Sequence, residues 1–117
     1  MHFEPGDILL LAFPFANQTA AKQRPALVVL DTGDEDVLVA RVTTQPHSAP
    51  LDVAISGWQG AGLLAPSTVR LHKMATIEKR LVKRKLGGLQ EPDRTAVWST
   101  FQNIYCRPSH RPVPKRA

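Results

Sequence analysis

This sequence predicts a mainly β chain with one C-terminal helix, folded as a small, strongly bent antiparallel sheet or barrel. Three observations carry that expectation. Short apolar or alternating runs recur from Ile8 to Leu86, each bounded by Pro, Gly, Asp or Thr. A helical spacing of apolar residues occurs in one place only, over 92–105. At 117 residues, with no internal repeat and a single cysteine, Cys106, the chain predicts one domain without an intrachain disulfide.

The elements follow in order. Pro5-Gly6-Asp7 launches an apolar strand, Ile8–Phe13, which Pro14 ends because it cannot donate to a ladder. A polar loop without an acid, Phe15 to Gln23, then delivers the chain to Arg24. The run Ala26–Leu30 reads as a buried central strand with Pro25 as its first residue. Val37–Val42 reads as its antiparallel partner across the turn residues 31–36, and runs into Thr43-Thr44-Gln45-Pro46. That pairing puts Arg24 and the Thr43-Thr44-Gln45 cluster on one rim.

Leu51–Ile55 alternates as a half-buried strand, and the Gly-rich segment 56–62 reads as a turn with a partly exposed Trp58. Ser67–His72, Met74–Ile77 and Leu81–Leu86 are three more short strands, the last ended by Gly87-Gly88. Pro92 opens the helix, Glu91 and Asp93 suit its dipole, and Val97, Trp98, Phe101, Ile104 and Tyr105 form its apolar face. About five to seven strands and one closing helix describe a barrel of the SH3 kind. It fills residues 1–106 as one domain. Residues 107–117 form a basic Pro-rich tail, expected to be disordered.

Charge is unevenly placed. Residues 1–60 carry seven acids and three Lys/Arg, whereas residues 61–117 carry three acids and twelve Lys/Arg. The basic half suits an anionic partner such as nucleic acid, or is a solvated surface. His2, His47, His72 and His110 are scattered, so no metal site is expected, and no cofactor loop is present. The N-terminal apolar run is too short to span a membrane and follows Glu4 and Asp7, so a cytoplasmic protein without membrane contact is expected.

What remains at the rim is Arg24, Thr43, Thr44 and Gln45, with His47 nearby. RNA supplies its own nucleophile, the 2′-hydroxyl, so cleavage needs mainly alignment and charge neutralisation. A guanidinium forks onto two phosphate oxygens, and a threonine hydroxyl donates to a third. Taken alone, these facts favour the plainer reading of Arg24 as a rim salt-bridge residue.

The ordered set Gly6-Asp7-Ile8, Arg24-Pro25-Ala26-Leu27-Val28-Val29, Val42-Thr43-Thr44-Gln45, Ser67-Thr68-Val69-Arg70-Leu71 and Thr76-Ile77 resembles the MazF/PemK family of toxin endoribonucleases. The match in order and spacing runs from about Pro5 to Tyr105. The resemblance implies an SH3-like barrel of the CcdB/MazF-like fold, a homodimer and an mRNA interferase. Such an enzyme cuts single-stranded RNA without a metal, leaving a 2′,3′-cyclic phosphate and a 5′-hydroxyl. It implies Arg24 and Thr43 as catalytic residues; on the chemistry above, Arg24 is expected to neutralise the scissile phosphate and to protonate or shield the leaving oxygen. It also implies a cognate antitoxin that blocks the RNA path, with operator DNA reached only through that antitoxin.

Asn17, Gln18, Thr19, Lys22, Gln23, Thr44, Gln45 and His47 frame the rim and are expected to contact RNA, their amides and imidazole reading unstacked bases. Trp58, Arg70, Lys83, Arg84 and Lys85 are expected to receive a small acidic antitoxin. Some family members carry an acid in the loop before the Arg-Pro motif. Here Asn17, Gln18 and Thr19 stand there, which excludes a carboxylate general base from that loop. The alternatives are a gyrase-inhibiting toxin of the CcdB type and a barrel that only binds nucleic acid. The latter calls for exposed aromatics on the sheet, and this chain has two Trp, one Tyr and four Phe.

Overall fold

The computed structural model describes residues 1–13 and 22–105. Asn17, Gln18, Thr19, Cys106 and the basic tail lie outside them. Six strands form one antiparallel sheet: β1 Asp7–Phe13, β2 Lys22–Leu30, β3 Asp36–Thr43, β4 Asp52–Ile55, β5 Ser67–Glu78 and β6 Val82–Gly88. Among the described residues one α-helix, α1 Asp93–Tyr105, follows, and a short 3-10 turn, Lys79–Leu81, joins β5 to β6. The spatial order is β4-β5-β3-β2-β1-β6. This is the mainly β architecture with a closing helix that the apolar runs predict.

Three local expectations change. Pro25 is not the first residue of its strand, because β2 already starts at Lys22. The ladder with β3 begins only at Ala26↔Arg41, so from Lys22 to Pro25 the strand is paired to β1 alone. A proline is tolerated where one side of a strand is unladdered. Ser67–His72 and Met74–Ile77 are not two strands but one, β5, in which Leu71, His72 and Lys73 are extra residues between the pairs Arg41↔Arg70 and Ala40↔Met74. Such a bulge bends the sheet. Gly87-Gly88 continue β6 instead of ending it, pairing with Ile8 and Asp7.

Those glycines have a second use. Gly62, at φ +90°, and Gly87 approach each other's neighbours so closely that a Cβ on either would strike the carbonyl of Leu86 or of Ala61. The turn after β4 thereby rests on β6, and the two outer strands of the sheet are brought round toward each other.

Strand alternation gives two apolar layers. Ile8, Leu27, Val29, Ala40, Val42, Val69 and Leu71 face the helix, where Val97, Trp58, Trp98 and Phe101 join them. Leu9, Leu11, Ala26, Val28, Val37, Val39 and Ile77 face the other way, with Phe3 and Val82. Asp93 ties helix to sheet. Its buried carboxylate accepts hydrogen bonds from Ser56 N, Ser56 Oγ and Gly57 N at 3.0, 2.9 and 2.7 Å.

The uneven charge of the sequence is partly paired in space. Of the seven cations between Arg70 and Lys85, four meet acids: Arg70 with Asp52, Lys79 with Asp31, Arg80 with Glu78 and Lys85 with Asp7. Lys79 is buried, and its Nζ also donates to the Met1 carbonyl at 2.8 Å.

Candidate active site

β2 and β3 run antiparallel with Ala26 opposite Arg41, Leu27 opposite Ala40 and Val28 opposite Val39. Carried two residues further, that register sets Arg24 opposite Thr43, beyond the last laddered pair. Arg24 is also opposite Leu11 of β1, and Thr43 is opposite Thr68 of β5. Since facing residues of an antiparallel sheet share a side, one row runs Leu11, Arg24, Thr43, Thr68 on the face of the second apolar layer. Arg24 is half-buried, with its Nε withdrawn from solvent.

Thr43 is held by its own turn. Its Oγ1 accepts a hydrogen bond from Gln45 N at 3.1 Å, closing the bend at the strand end. A hydroxyl has one proton and two acceptor positions. The Gln45 bond uses an acceptor, so the Thr43 proton stays available to an anion on that face.

Alternation splits the remaining rim residues. Gln23 and Thr44, each one step from the Arg24–Thr43 row, lie on the opposite face. There they line a groove of about 590 Å³ with Leu10, Pro25, Leu63 and Arg84. Gln45 and His47 are exposed beyond β3. The backbone of Lys22 pairs with Phe13 at the start of β2. RNA-facing candidates therefore occupy two sides of one sheet end rather than a single ring.

The residues expected to receive an antitoxin are likewise dispersed. Trp58 is half-buried against the helix-side layer. Arg70 lies on the other face, its Nε 2.9 Å from Asp52 Oδ1. Arg84 lines the groove, whereas Lys85 reaches Asp7 Oδ1 at 3.3 Å. Exposed Lys83 completes that run. Sequence reasoning missed Leu64, which is 97% exposed at the groove wall. An apolar Leu63-Leu64 pair closing a Gly-rich turn was the available signal.

Neither N-terminal acid comes to the rim. Asp7 lies four residues from Leu11, roughly 13 Å along β1, and accepts Glu4 N at 2.8 Å. Glu4 pairs with His2 at 3.0 Å. The carboxylate nearest in register on this face is Asp52, opposite Arg70. Burial works against its charge. Hydrogen bonds from Arg70 and Ala49 N, with the charges of Arg70 and His72, outweigh that and hold its pKa below the ordinary aspartate value.

Comparisons with known proteins bear on the fold and the family. Among curated proteins no sequence match is found. Solved structures share the fold. The Mycobacterium tuberculosis toxin MazF-mt6 superposes with a TM-score of 0.69 at 22% identity, over 88% of this chain and 97% of that one. A mycobacterial endoribonuclease in complex with its cognate antitoxin gives 0.69 at 18% identity, over 89% and 95%. MazF from Deinococcus radiodurans gives 0.66 at 17%, over 88% and 96%. A model of the PemK-like, MazF-like toxins of type II toxin–antitoxin systems matches residues 4–105. With the family's pattern spanning nearly the whole of the sheet and helix, this chain belongs to the PemK/MazF-like toxin family of type II toxin–antitoxin systems.

Proposed function

We propose that this chain is a metal-independent endoribonuclease that cuts single-stranded RNA by transesterification and is held in check by a small acidic antitoxin. The observation that carries the reading is the Arg24–Thr43 row: a half-buried guanidinium opposite a hydroxyl whose acceptor side is already engaged. In the reaction the RNA 2′-oxygen attacks phosphorus and the P–O5′ bond breaks. The products are a 2′,3′-cyclic phosphate and a 5′-hydroxyl. The 2′-hydroxyl proton passes to water and the departing O5′ takes one from water. A guanidinium is a fixed cation rather than a proton shuttle, so the part of Arg24 is to neutralise the phosphorane, while Thr43 donates to a non-bridging oxygen. Endoribonuclease activity in a structural neighbour and an antitoxin bound to it support the reading.

The active species is a homodimer in this reading, and the exposed amides of Gln23 and Gln45 choose the bases. The antitoxin places apolar and acidic residues along the Leu10–Pro25–Leu64 groove, where Arg84 supplies the complementary charge. The deciding experiment incubates the protein with single-stranded RNA in EDTA and examines the new ends. Cyclic phosphate and 5′-hydroxyl termini are expected. Arg24→Ala should lower the rate roughly 10²–10³-fold with an unchanged far-UV circular dichroism spectrum. Absence of cleavage, or cleavage by Arg24→Ala at the wild-type rate, overturns the assignment.

A further inference from the structure

The row next to Arg24 and Thr43 on the same face is Ala26, Arg41, Arg70, Asp52, set by the pairs Ala26↔Arg41, Arg41↔Arg70 and Arg70↔Asp52. It places two arginines directly opposite each other. Like charges in that position destabilise a sheet, and only one of the two is compensated. Asp52 Oδ1 accepts Arg70 Nε at 2.9 Å and Asp52 Oδ2 accepts Ala49 N at 2.9 Å. The Asp52 side chain is 1% exposed and that of Arg70 16%, so the pair is fixed in place. Asp52 engages one of the five donors of the Arg70 guanidinium. Arg41 is exposed and has no ion pair among the described residues. His72 and Lys73, exposed in the β5 bulge, add no acid.

Arg41 and Thr43 are two residues apart on β3, hence on one side and roughly 6.7 Å apart along the strand. That separation is comparable to the distance between neighbouring phosphates of an extended nucleic-acid strand. A chain of phosphates crossing this face therefore meets two cationic rows in succession. We infer that Arg41 and Arg70 form a second phosphate-binding subsite, which holds the RNA phosphate next to the scissile one, with Asp52 as the residue that positions Arg70. The inference rests on the RNA-cleaving reading above and adds the contact that sets the strand's register against Arg24. An anion bridging Arg41 and Arg70 also relieves the repulsion between them.

The test uses the intact protein and an RNA whose mapped cut site carries a 2′-deoxy sugar, so that it binds without being cut. Affinity is measured against salt for wild type, Arg41→Gln and Arg41→Lys. Because Arg41 is exposed, neither substitution disturbs the core. Arg41→Gln should weaken binding about tenfold, the size of one lost charge-assisted bond, and flatten the log–log salt slope by about 0.7. Arg41→Lys should keep the slope. A neutral methylphosphonate beside the cut site should weaken wild type more than Arg41→Gln, in which Arg70 alone still meets that phosphate. If wild type binds and cuts RNA while Arg41→Gln keeps its affinity and slope, the subsite is overturned and the cleavage reading stands. If wild type does not bind the RNA, both fall. If Arg41→Gln weakens only the antitoxin, the row belongs to a protein interface and the RNA assignment is overturned.

Discussion

Two aspartates show how single residues couple this fold to pH. Asp31 accepts Phe3 N at 2.7 Å and Gly33 N at 2.8 Å, and meets Lys79 Nζ at 2.9 Å. The Lys79 hydrogen bond foremost, then the Phe3 amide, hold its carboxyl well below the usual carboxylate range. Asp52 is shifted the same way, burial being overcome by Arg70 and Ala49. A carboxyl that binds its proton more weakly when folded stabilises the fold fully above its unfolded pKa, about 3.9. That stability is lost as pH falls through the folded value. The denaturant midpoint should therefore stay level from neutral pH to about 5 and decline below about 4. Asp52→Asn should decline less steeply. Urea titrations across that range check it, and an equally steep decline in the variant would show that Asp52 does not carry the effect.

At the scale of elements, the helix is joined to the sheet through Asp93. The sequence suggested a helix-dipole partner there. In the structure the same carboxylate gathers three donors from the Ser56–Gly57 turn, so it holds β4 against α1. Asp93→Ala leaves two backbone amides and a hydroxyl without that acceptor, and should cost about 2–3 kcal/mol, seen as a lowered thermal midpoint with RNA cleavage retained below it. A midpoint within a degree of wild type would refute this. The strands themselves were legible, because their apolar runs and their Gly and Pro boundaries are local signals. The Arg24–Thr43 juxtaposition was also legible, since one antiparallel pairing implies it. Long-range facts were not. That Gly87 continues a strand depends on Gly62 approaching it from the far edge. That Gln23 and Thr44 turn away from Arg24 and Thr43 follows from strand parity, which a rim drawn as one surface ignores. Arg41 was within reach by the same parity, two positions before Thr43.

Over the whole molecule, the acidic first half and basic second half interlock instead of forming two poles, as Asp7, Asp31 and Asp52 meet Lys85, Lys79 and Arg70. The excess positive charge is left in particular places, and β6 is one of them. This strand is an edge of the sheet, and Lys83, Arg84 and Lys85 are exposed along it. An uncovered edge offers unpaired amides and carbonyls to any other strand, including the same strand of another copy. Lys83 and Arg84, with Lys85 held only in part by Asp7, make that pairing repulsive, and near Leu86 the glycine turn covers what the charges do not. The run is thus a safeguard of solubility as well as a surface for partners. A Lys83→Ala, Arg84→Ala, Lys85→Ala triple variant should form concentration-dependent aggregates even without RNA or antitoxin, which light scattering would register; a triple variant that stays dispersed would contradict this. Any loss of partner binding in that variant has to be measured below the concentration at which copies begin to add to one another's edges.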